Sequence, residues 1–141
     1  MNDLLDKHLK YWTDGAADAL DTAEKLFVGK KYHHSLFFLH LSIEKLLKAL
    51  HQQRKHEPAL PIHNLSRLVE LSNVSINAET DEQLKEISSF NLSARYDDYK
   101  QKFYKKATQE YATKWLNIGK ELYKTLLDLL YLKHYTKEEF E

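Results

Sequence analysis

The sequence predicts an all-α fold, an up-and-down bundle of four long or medium helices plus one short helix. Apolar residues recur every three or four positions along most of the chain, which is the spacing of one helical face. Only three glycines and two prolines occur in 141 residues, so few residues suit the tight turns that join strands. We expect one helical domain over residues 1–141, because this length is typical of a single domain.

Two long helices are predicted at the start of the chain. The first covers about 3–27 and stops at Gly29, a residue type that favours helix C-termini. The second covers about 31–54 and is apolar nearly all round, which indicates a central helix with neighbours on several sides. So wide an apolar surface exceeds what a small bundle easily buries, and we expect a homodimer. Three charged residues interrupt the apolar surface and form a polar window that we expect to face water or a partner: Glu44, Lys45 and Lys48.

Three more helices are predicted in the rest of the chain. A short one opens at His63-Asn64-Leu65, after a connector that contains both prolines. Thr80 and Gln83 have the spacing of a capping box, so the fourth helix is expected to start there. The last helix begins near Thr108 and runs to a polar tail. The helical periodicity is lost over residues 91–106, and no helix is predicted in that stretch.

Charge and composition exclude several classes of protein. The 21 basic side chains balance 21 acidic ones, so no global field attracts a DNA duplex or a membrane surface. The absence of cysteine excludes disulfides, thiolate zinc sites and cysteine nucleophiles. The sequence has neither a signal-peptide pattern nor an apolar run of about 18 residues. We expect a cytoplasmic protein without membrane contact and without a cofactor.

The eight histidines are scattered and form no nucleophile, P-loop or zinc signature. His40 and Glu44 stand one helical turn apart, but a metal site needs three or four ligands and no partner motif is visible, so no metal is predicted. His63 precedes a helix, where it either caps the first amides or moves a proton near neutral pH, and capping is the commoner role.

Residues 91–106, the basic aromatic segment, carry a local positive charge within a neutral protein. The segment has five basic residues against two acidic ones, with four aromatic rings between them: Arg95, Lys100, Lys102, Lys105 and Lys106; Asp97 and Asp98; Tyr96, Tyr99, Phe103 and Tyr104. Rings stack on bases and cations neutralise phosphates, so this pattern suits a nucleotide or single-stranded RNA. The alternative is that the rings fill the core and the charges face solvent.

The order of these features resembles the HEPN family, the nucleotide-binding helical domains of higher eukaryotes and prokaryotes. Trp12 and the alanines that follow it resemble the family's first helix, and Tyr32 with IEKLLKAL over 43–50 resembles its second. His63-Asn64-Leu65 resembles the start of the next helix. FNLSARYDDY over 90–99 resembles the family's aromatic-Asn…Ala-Arg-Tyr turn. The resemblance spans nearly the whole chain.

The resemblance implies a dimeric helical bundle, often paired with a minimal nucleotidyltransferase in a two-component, toxin–antitoxin-like system. Many members are metal-independent ribonucleases with an Arg followed about four to six residues later by a His. Arg95 matches that Arg, but Lys100 stands five positions on and no His lies between Arg95 and Lys106. A lysine neutralises phosphate but is a poor base near neutral pH. The Tyr that a partner modifies in some members corresponds here to Lys102.

From the sequence we therefore expect a HEPN-type nucleotide- or RNA-binding module, and we do not expect an enzyme. The expected binding residues are Arg95 and its neighbours: Arg95, Lys100 and Lys102 for phosphate, Tyr96 or Tyr99 for stacking on a base, and Asp98 to orient Arg95. Two alternatives stay open. One is a ribonuclease toxin that pairs Arg95 with His63, and the other is a purely structural helical partner.

Overall fold

The computed structural model describes residues 3–93 and 96–140, with side chains described over 7–93 and 96–130. Six helices occupy this part of the chain: α1 (Asp3–Val28), α2 (Tyr32–Lys55), α3 (Leu65–Leu71), α4 (Ala78–Ser88), α5 (Asp97–Lys106) and α6 (Gln109–Phe140). No strand occurs among the described residues. The all-α prediction is confirmed, with one helix more than the sequence indicated. Within the same residues, no helix combines the length and hydrophobicity that crossing a membrane requires.

The central helix is α2, which packs along α1 and α6 and also contacts α3 and α4. Its large aliphatic side chains on several faces are fully buried within one chain: Leu36, Leu39, Ile43, Leu46, Leu47 and Leu50. Burial of each stabilises the fold by about 1.5–3 kcal/mol. The argument for a homodimer from unburied apolar surface on α2 is therefore wrong, and the homodimer rests on the family resemblance alone.

Small residues bring α1 close to α2. Ala16, Ala19 and Ala23 are buried on the α1 face that meets α2. Two buried serines of α2 donate hydrogen bonds to carbonyl oxygens of α1, Ser35 to Ala23 at 2.6 Å and Ser42 to Ala16 at 2.7 Å. Because these hydroxyls find partners, the contact buries polar groups without an unpaired donor.

The end of α1 lies where the sequence predicts it, but a different residue makes the turn. The helix ends at Val28, and Lys30 rather than Gly29 takes the left-handed conformation, with φ of 64°. The Lys31 N–H donates to the carbonyl of Leu26 at 2.8 Å, which closes the last helical turn.

The capping box predicted at Thr80 and Gln83 is wrong. The helix α4 begins at Ala78, and the side chain of Asn77 accepts a hydrogen bond from the Thr80 N–H at 2.7 Å. Asparagine is at least as good an N-cap as threonine, and its position three residues earlier places Thr80 inside the first turn.

The prediction that residues 91–106 contain no helix is also wrong, because the second part of this segment forms α5. Acidic Asp97 and Asp98 stand in its first turn and basic residues in its last, the arrangement that the helix dipole favours. The helix has a narrow apolar face on which Phe103 is buried, with its ring 5.5 Å from that of Phe90. One buried ring in ten residues leaves too little periodicity to detect in the sequence.

Gly119 of α6 lies directly against the buried side chain of Leu39 of α2. A Cβ added there would lie 2.8 Å from Cγ of Leu39 and closer still to both Cδ atoms. We expect Gly119→Ala to lower the free energy of unfolding by about 1–2 kcal/mol, because overpacking costs more than the gain in helix propensity. Urea unfolding measures this.

Gly15→Ala is the matched control, since the added Cβ would meet only the flexible end of Lys45, with Nζ at 3.1 Å. We expect this change to be neutral or stabilising by up to about 1 kcal/mol. Equal effects of the two substitutions would contradict the close packing of α6 on α2.

Candidate functional site

The polar window predicted on α2 does not face water or a partner, and that expectation is wrong. Glu44 and Lys48 are only 5% and 7% exposed. Lys48 Nζ donates to Glu44 Oε2 at 3.0 Å. Lys45 is half-buried, with its side chain against Gly15 of α1. A buried carboxylate and ammonium require partners, and here the two groups partner each other.

Two histidines complete the surroundings of this carboxylate, and we refer to Glu44, Lys48, His40 and His63 as the Glu44 network. His63 Nδ1 lies 3.1 Å from both carboxylate oxygens of Glu44, to which it donates. His40 Nε2 lies 3.2 Å from the backbone oxygen of His63 and 3.4 Å from Glu44 Oε1. The connector before α3 is thus held to α2 through one residue, His63, by its side chain and by its backbone carbonyl.

His63 does not cap α3, contrary to its commoner expected role. The N-cap is Asn64, whose side chain accepts a hydrogen bond from the Arg67 N–H at 2.9 Å. The side chain of His63 turns back to Glu44 instead and stays 60% exposed. It is therefore the solvent-facing end of the Glu44 network.

The buried His40 is held as a neutral ring. Its Nε2 faces two acceptors and carries the hydrogen, while Nδ1 has no hydrogen-bond partner among the described residues. Burial lowers the pKa of His40 below its ordinary value of 6.5, against the raising effects of the His63 carbonyl and the Glu44 carboxylate. The described residues contain no group of three or more side chains arranged to hold a metal ion.

A further chain of polar contacts joins α1 to α2 beside Lys48. Trp12 Nε1 donates to Gln52 Oε1 at 2.8 Å, and Gln52 Nε2 lies 2.7 Å from His8 Nδ1. The Lys48 ammonium lies 5.5 Å from the Trp12 ring centre. These contacts fix how α1 lies on the buried charges of α2 and leave few of the polar groups free for a ligand.

The basic aromatic segment borders a small cleft against the start of α2, which we name the α2–α5 cleft. Its volume is about 220 Å³, below the range of about 300–1,000 Å³ typical of sites for drug-sized ligands. It is lined from α2, from the loop between α4 and α5, and from α5, in that order by His33, His34 and Phe37; Leu92 and Ser93; Lys100 and Tyr104. Rings and a cation therefore meet in a space suited to a small group such as one base or phosphate.

The predicted binding residues fall in different surroundings. Lys100 is half-buried and lines the cleft, whereas Lys102 and Asp98 are exposed and do not. Tyr96 is 89% exposed. Tyr99 packs against the core, and its hydroxyl donates to the carbonyl of Ser89 at 3.1 Å.

Arg95 lies outside the described residues, so the predicted phosphate contact of this side chain stays a prediction. Lys102 and Asp98 are exposed to solvent on α5, whereas the ring of Tyr99 is half-buried against the core and is not free to stack on a base. Of the residues chosen for phosphate and base, Lys100 is the one that lines the cleft among the described residues.

Sequence reasoning missed the three rings that α2 contributes to the cleft, those of His33, His34 and Phe37. The His33 ring lies between His34, at 4.1 Å between centroids, and Tyr104, at 4.4 Å. Burial, then His34 and Lys31, lower the pKa of His33. No local motif joins residues so far apart in the chain, and the adjacent histidine pair at the start of the central helix was the one available signal.

Lys106, the last residue of α5, is committed to the fold. Its Nζ lies 2.8 Å from Glu86 Oε2 of α4 and 5.2 Å from the ring centre of Tyr111 on α6. The Tyr111 hydroxyl donates to the same carboxylate, and burial together with this hydrogen bond raises the pKa of Tyr111. These contacts anchor the end of α5 and so position the cleft side of the helix.

Two larger grooves flank α6, one of about 410 Å³ against α4 and one of about 380 Å³ against α1. The first contains the acidic Glu79 and Glu121, and the second has Glu24 and Lys120 paired at 2.8 Å. The first groove has no cation in its lining, and the one cation of the second, Lys120, is already neutralised by Glu24. A phosphate-bearing ligand is therefore better matched to the α2–α5 cleft.

Comparison with known proteins agrees with the helical architecture. The HEPN domain model matches residues 9–129. The chain belongs to the HEPN domain family. The crystal structure of TT1696 from Thermus thermophilus is similar, with a TM-score of 0.70 and 17% identity over 85% of this chain and 96% of that chain. No match was found among curated proteins.

Membership of the HEPN family supports a nucleotide- or RNA-related module in general terms. At 17% identity, the likeness to TT1696 shows the fold alone. The role of any residue in this HEPN domain must therefore be derived from the contacts and charges of this chain.

The neutral His40 predicts how stability of this HEPN domain depends on pH. Because its pKa is lowered in the fold, the unfolded chain binds more protons below pH 6.5, and the free energy of unfolding falls as the pH drops through that value. We expect the dependence between pH 7.5 and about 5.5 to be shallower in His40→Gln, whose amide still offers an N–H to the His63 carbonyl. Urea unfolding across this range measures it.

The matched control is His56→Asn. His56 is exposed and left-handed, with φ of 55°, a conformation that asparagine tolerates. This variant should keep the wild-type dependence. An unchanged slope in His40→Gln would show that protonation of His40 does not limit stability in acid.

Proposed function

We propose that this HEPN domain binds a nucleotide or an end of single-stranded RNA in the α2–α5 cleft. The observation that carries the proposal is the meeting of Lys100 with the rings of His33, Phe37 and Tyr104 around one small volume. Rings take up unpaired bases by stacking, and a lysine neutralises phosphate as a point charge. The family to which the chain belongs supports the same class of ligand.

The dimensions of the cleft favour an unpaired ligand. A base held in a duplex is stacked and paired, and its faces are closed to side chains, whereas the base of a free nucleotide or a strand end offers both faces. The whole chain carries no net charge that would hold a long duplex. The proposal therefore includes no binding of duplex DNA.

Residues along α5 extend the proposed contact beyond the cleft. Lys102 and Tyr96 are exposed on the same helix or just before it, where a second phosphate or base of a strand would pass. Arg95 stays in the proposal as a phosphate ligand on the strength of the sequence, two residues after the cleft residue Ser93. Asp98 would orient it, as expected from the sequence.

Binding is tested by titrating a fluorescent ten-nucleotide RNA and adenosine monophosphate against wild type and Lys100→Ala. We expect Lys100→Ala to weaken binding about tenfold or more, since a hydrogen bond to a charged group contributes about 1.5–3 kcal/mol. Affinity for the RNA should also fall with added salt. Lys124→Ala, an exposed lysine on α6, is the matched control and should bind as wild type does.

Thermal melts of each variant show whether the fold is kept. Absence of binding by wild type at low salt, or equal weakening in Lys100→Ala and Lys124→Ala, would contradict the proposal and favour the structural-partner alternative. Cleavage of the RNA in excess chelator that is lost in Arg95→Ala would instead favour the ribonuclease alternative. Comparing His63→Ala with His33→Ala would then identify the base.

We also propose, from the family resemblance, that the protein forms a homodimer and pairs with a minimal nucleotidyltransferase in a two-component system. Exposed apolar side chains such as Tyr11, Val28 and Tyr96, at 65%, 81% and 89% exposure, are available for such contacts. Light scattering should give twice the 16.7 kDa chain mass at micromolar concentration. Pull-down from the native host should recover the nucleotidyltransferase, and a mass of one chain would contradict the dimer.

A further inference from the structure

We propose that the α2–α5 cleft recognises a terminal phosphomonoester and that the His33–His34 pair takes up a proton when this group binds. The inference rests on the proposed function and names the ligand group and its pH control. A phosphomonoester is common to a free nucleotide and to a phosphorylated RNA end, so either can supply it.

The rings of His33 and His34 lie close together at the start of α2. The two imidazole rings lie 4.1 Å apart, and the half-buried His33 is also covered by Tyr104 at 4.4 Å. Both histidines stand in the first turn of α2, where the helix dipole adds positive potential and no acidic residue is present. Two rings so close together disfavour two positive charges unless an anion lies between or beside them.

The charged side chains around the His33–His34 pair are basic. The titratable and charged groups that face it are Lys31, the residue just before α2, with Lys100 and Tyr104 from α5. The loop supplies the uncharged Leu92 and Ser93. Of the described residues that line the cleft, none is acidic.

The acidic residues closest in sequence to this side of the cleft, Asp97 and Asp98, are exposed at the start of α5 and do not line it. Partial burial, and after it the neighbouring His34 and Lys31, lower the pKa of His33. The cleft therefore has a cation, no acidic counter-ion among the described residues, and two neighbouring imidazole rings beside them.

A cleft with this charge favours a phosphomonoester over a phosphodiester. A phosphomonoester carries about −1.5 to −2 charge at pH 7, whereas a phosphodiester carries −1. Its negative charge reverses the field at the histidines, so one imidazole accepts a proton from solvent and donates N–H to a phosphate oxygen. The one covalent change is the new N–H bond of the imidazole, and the ligand keeps all its bonds. The cleft therefore distinguishes a chain end from the interior of a strand by charge.

Proton uptake is measured by isothermal titration calorimetry of wild type at pH 7 in Pipes and in Tris, whose ionisation enthalpies differ. We expect adenosine monophosphate to bind with uptake of up to about one proton and adenosine to bind at least tenfold more weakly. Affinity for the monophosphate should be about threefold to thirtyfold higher at pH 6.5 than at pH 8. Ten-nucleotide RNAs with a 5′-phosphate, a 3′-phosphate or neither distinguish the two sources of the group.

The variants His33→Gln and His34→Gln should lose the proton uptake and the preference for the phosphorylated ligand. The control His56→Asn should keep both. His34 is exposed, so its variant keeps the test decisive if His33→Gln unfolds in a thermal melt.

The outcomes separate this inference from the function on which it rests. Binding of nucleotide or RNA without proton uptake, or equal affinity for phosphorylated and unphosphorylated ends, would overturn the inference and leave the proposed function standing. Failure of wild type to bind either kind of ligand at any pH would overturn both.

Discussion

The carboxylate of Glu44 is the polar contact on which the centre of the fold depends. It lies on the most deeply buried helix, where an unpaired charge would cost several kcal/mol. Lys48 supplies the counter-charge from one turn along α2, and His63 brings the connector before α3 onto the same oxygens. Removing the carboxylate would leave a buried ammonium and release this connector. One side chain therefore couples the charge balance of the core to the path of the chain.

Helix α2 also forms one side of the α2–α5 cleft, and its packing explains why so small a cleft has a fixed shape. His33 and Phe37 stand at the start of α2, and His40, Glu44 and Lys48 continue along that side of it at helical spacing. The aliphatic faces of α2 are buried against its neighbours, so the rings of the cleft rise from a rigid support. On the facing side, Phe103 and Lys106 fix α5 by core packing and by the contact with Glu86. Rigid elements on both sides limit the entropy that a ligand would have to remove.

The sequence was sufficient for the long helices and insufficient for the cleft, for identifiable physical reasons. Helices α1, α2 and α6 bury wide or regular apolar faces, and such periodicity is local information. Helix α5 has one buried ring, Phe103, so its formation depends on tertiary packing that the sequence does not display. The polar window was misjudged because Glu44 finds His63 nineteen residues away. Lys100 was identified from its charge, whereas the meeting of His33 with Tyr104 depends on how distant helices pack.

The departure from the family's Arg…His pattern also bears on the binding that we propose. In the family pattern, a histidine a few residues after the arginine places the titratable imidazole and the permanently charged guanidinium on one segment of the chain. Here the cation of the cleft, Lys100, lies on α5, while the imidazoles come from the first turn of α2. In the binding that we propose, the lysine would attract the anion and the histidines would add charge only when the anion stabilises it. The separation of these two roles onto two helices would then make binding in the cleft conditional on the charge of the ligand as well as on its shape.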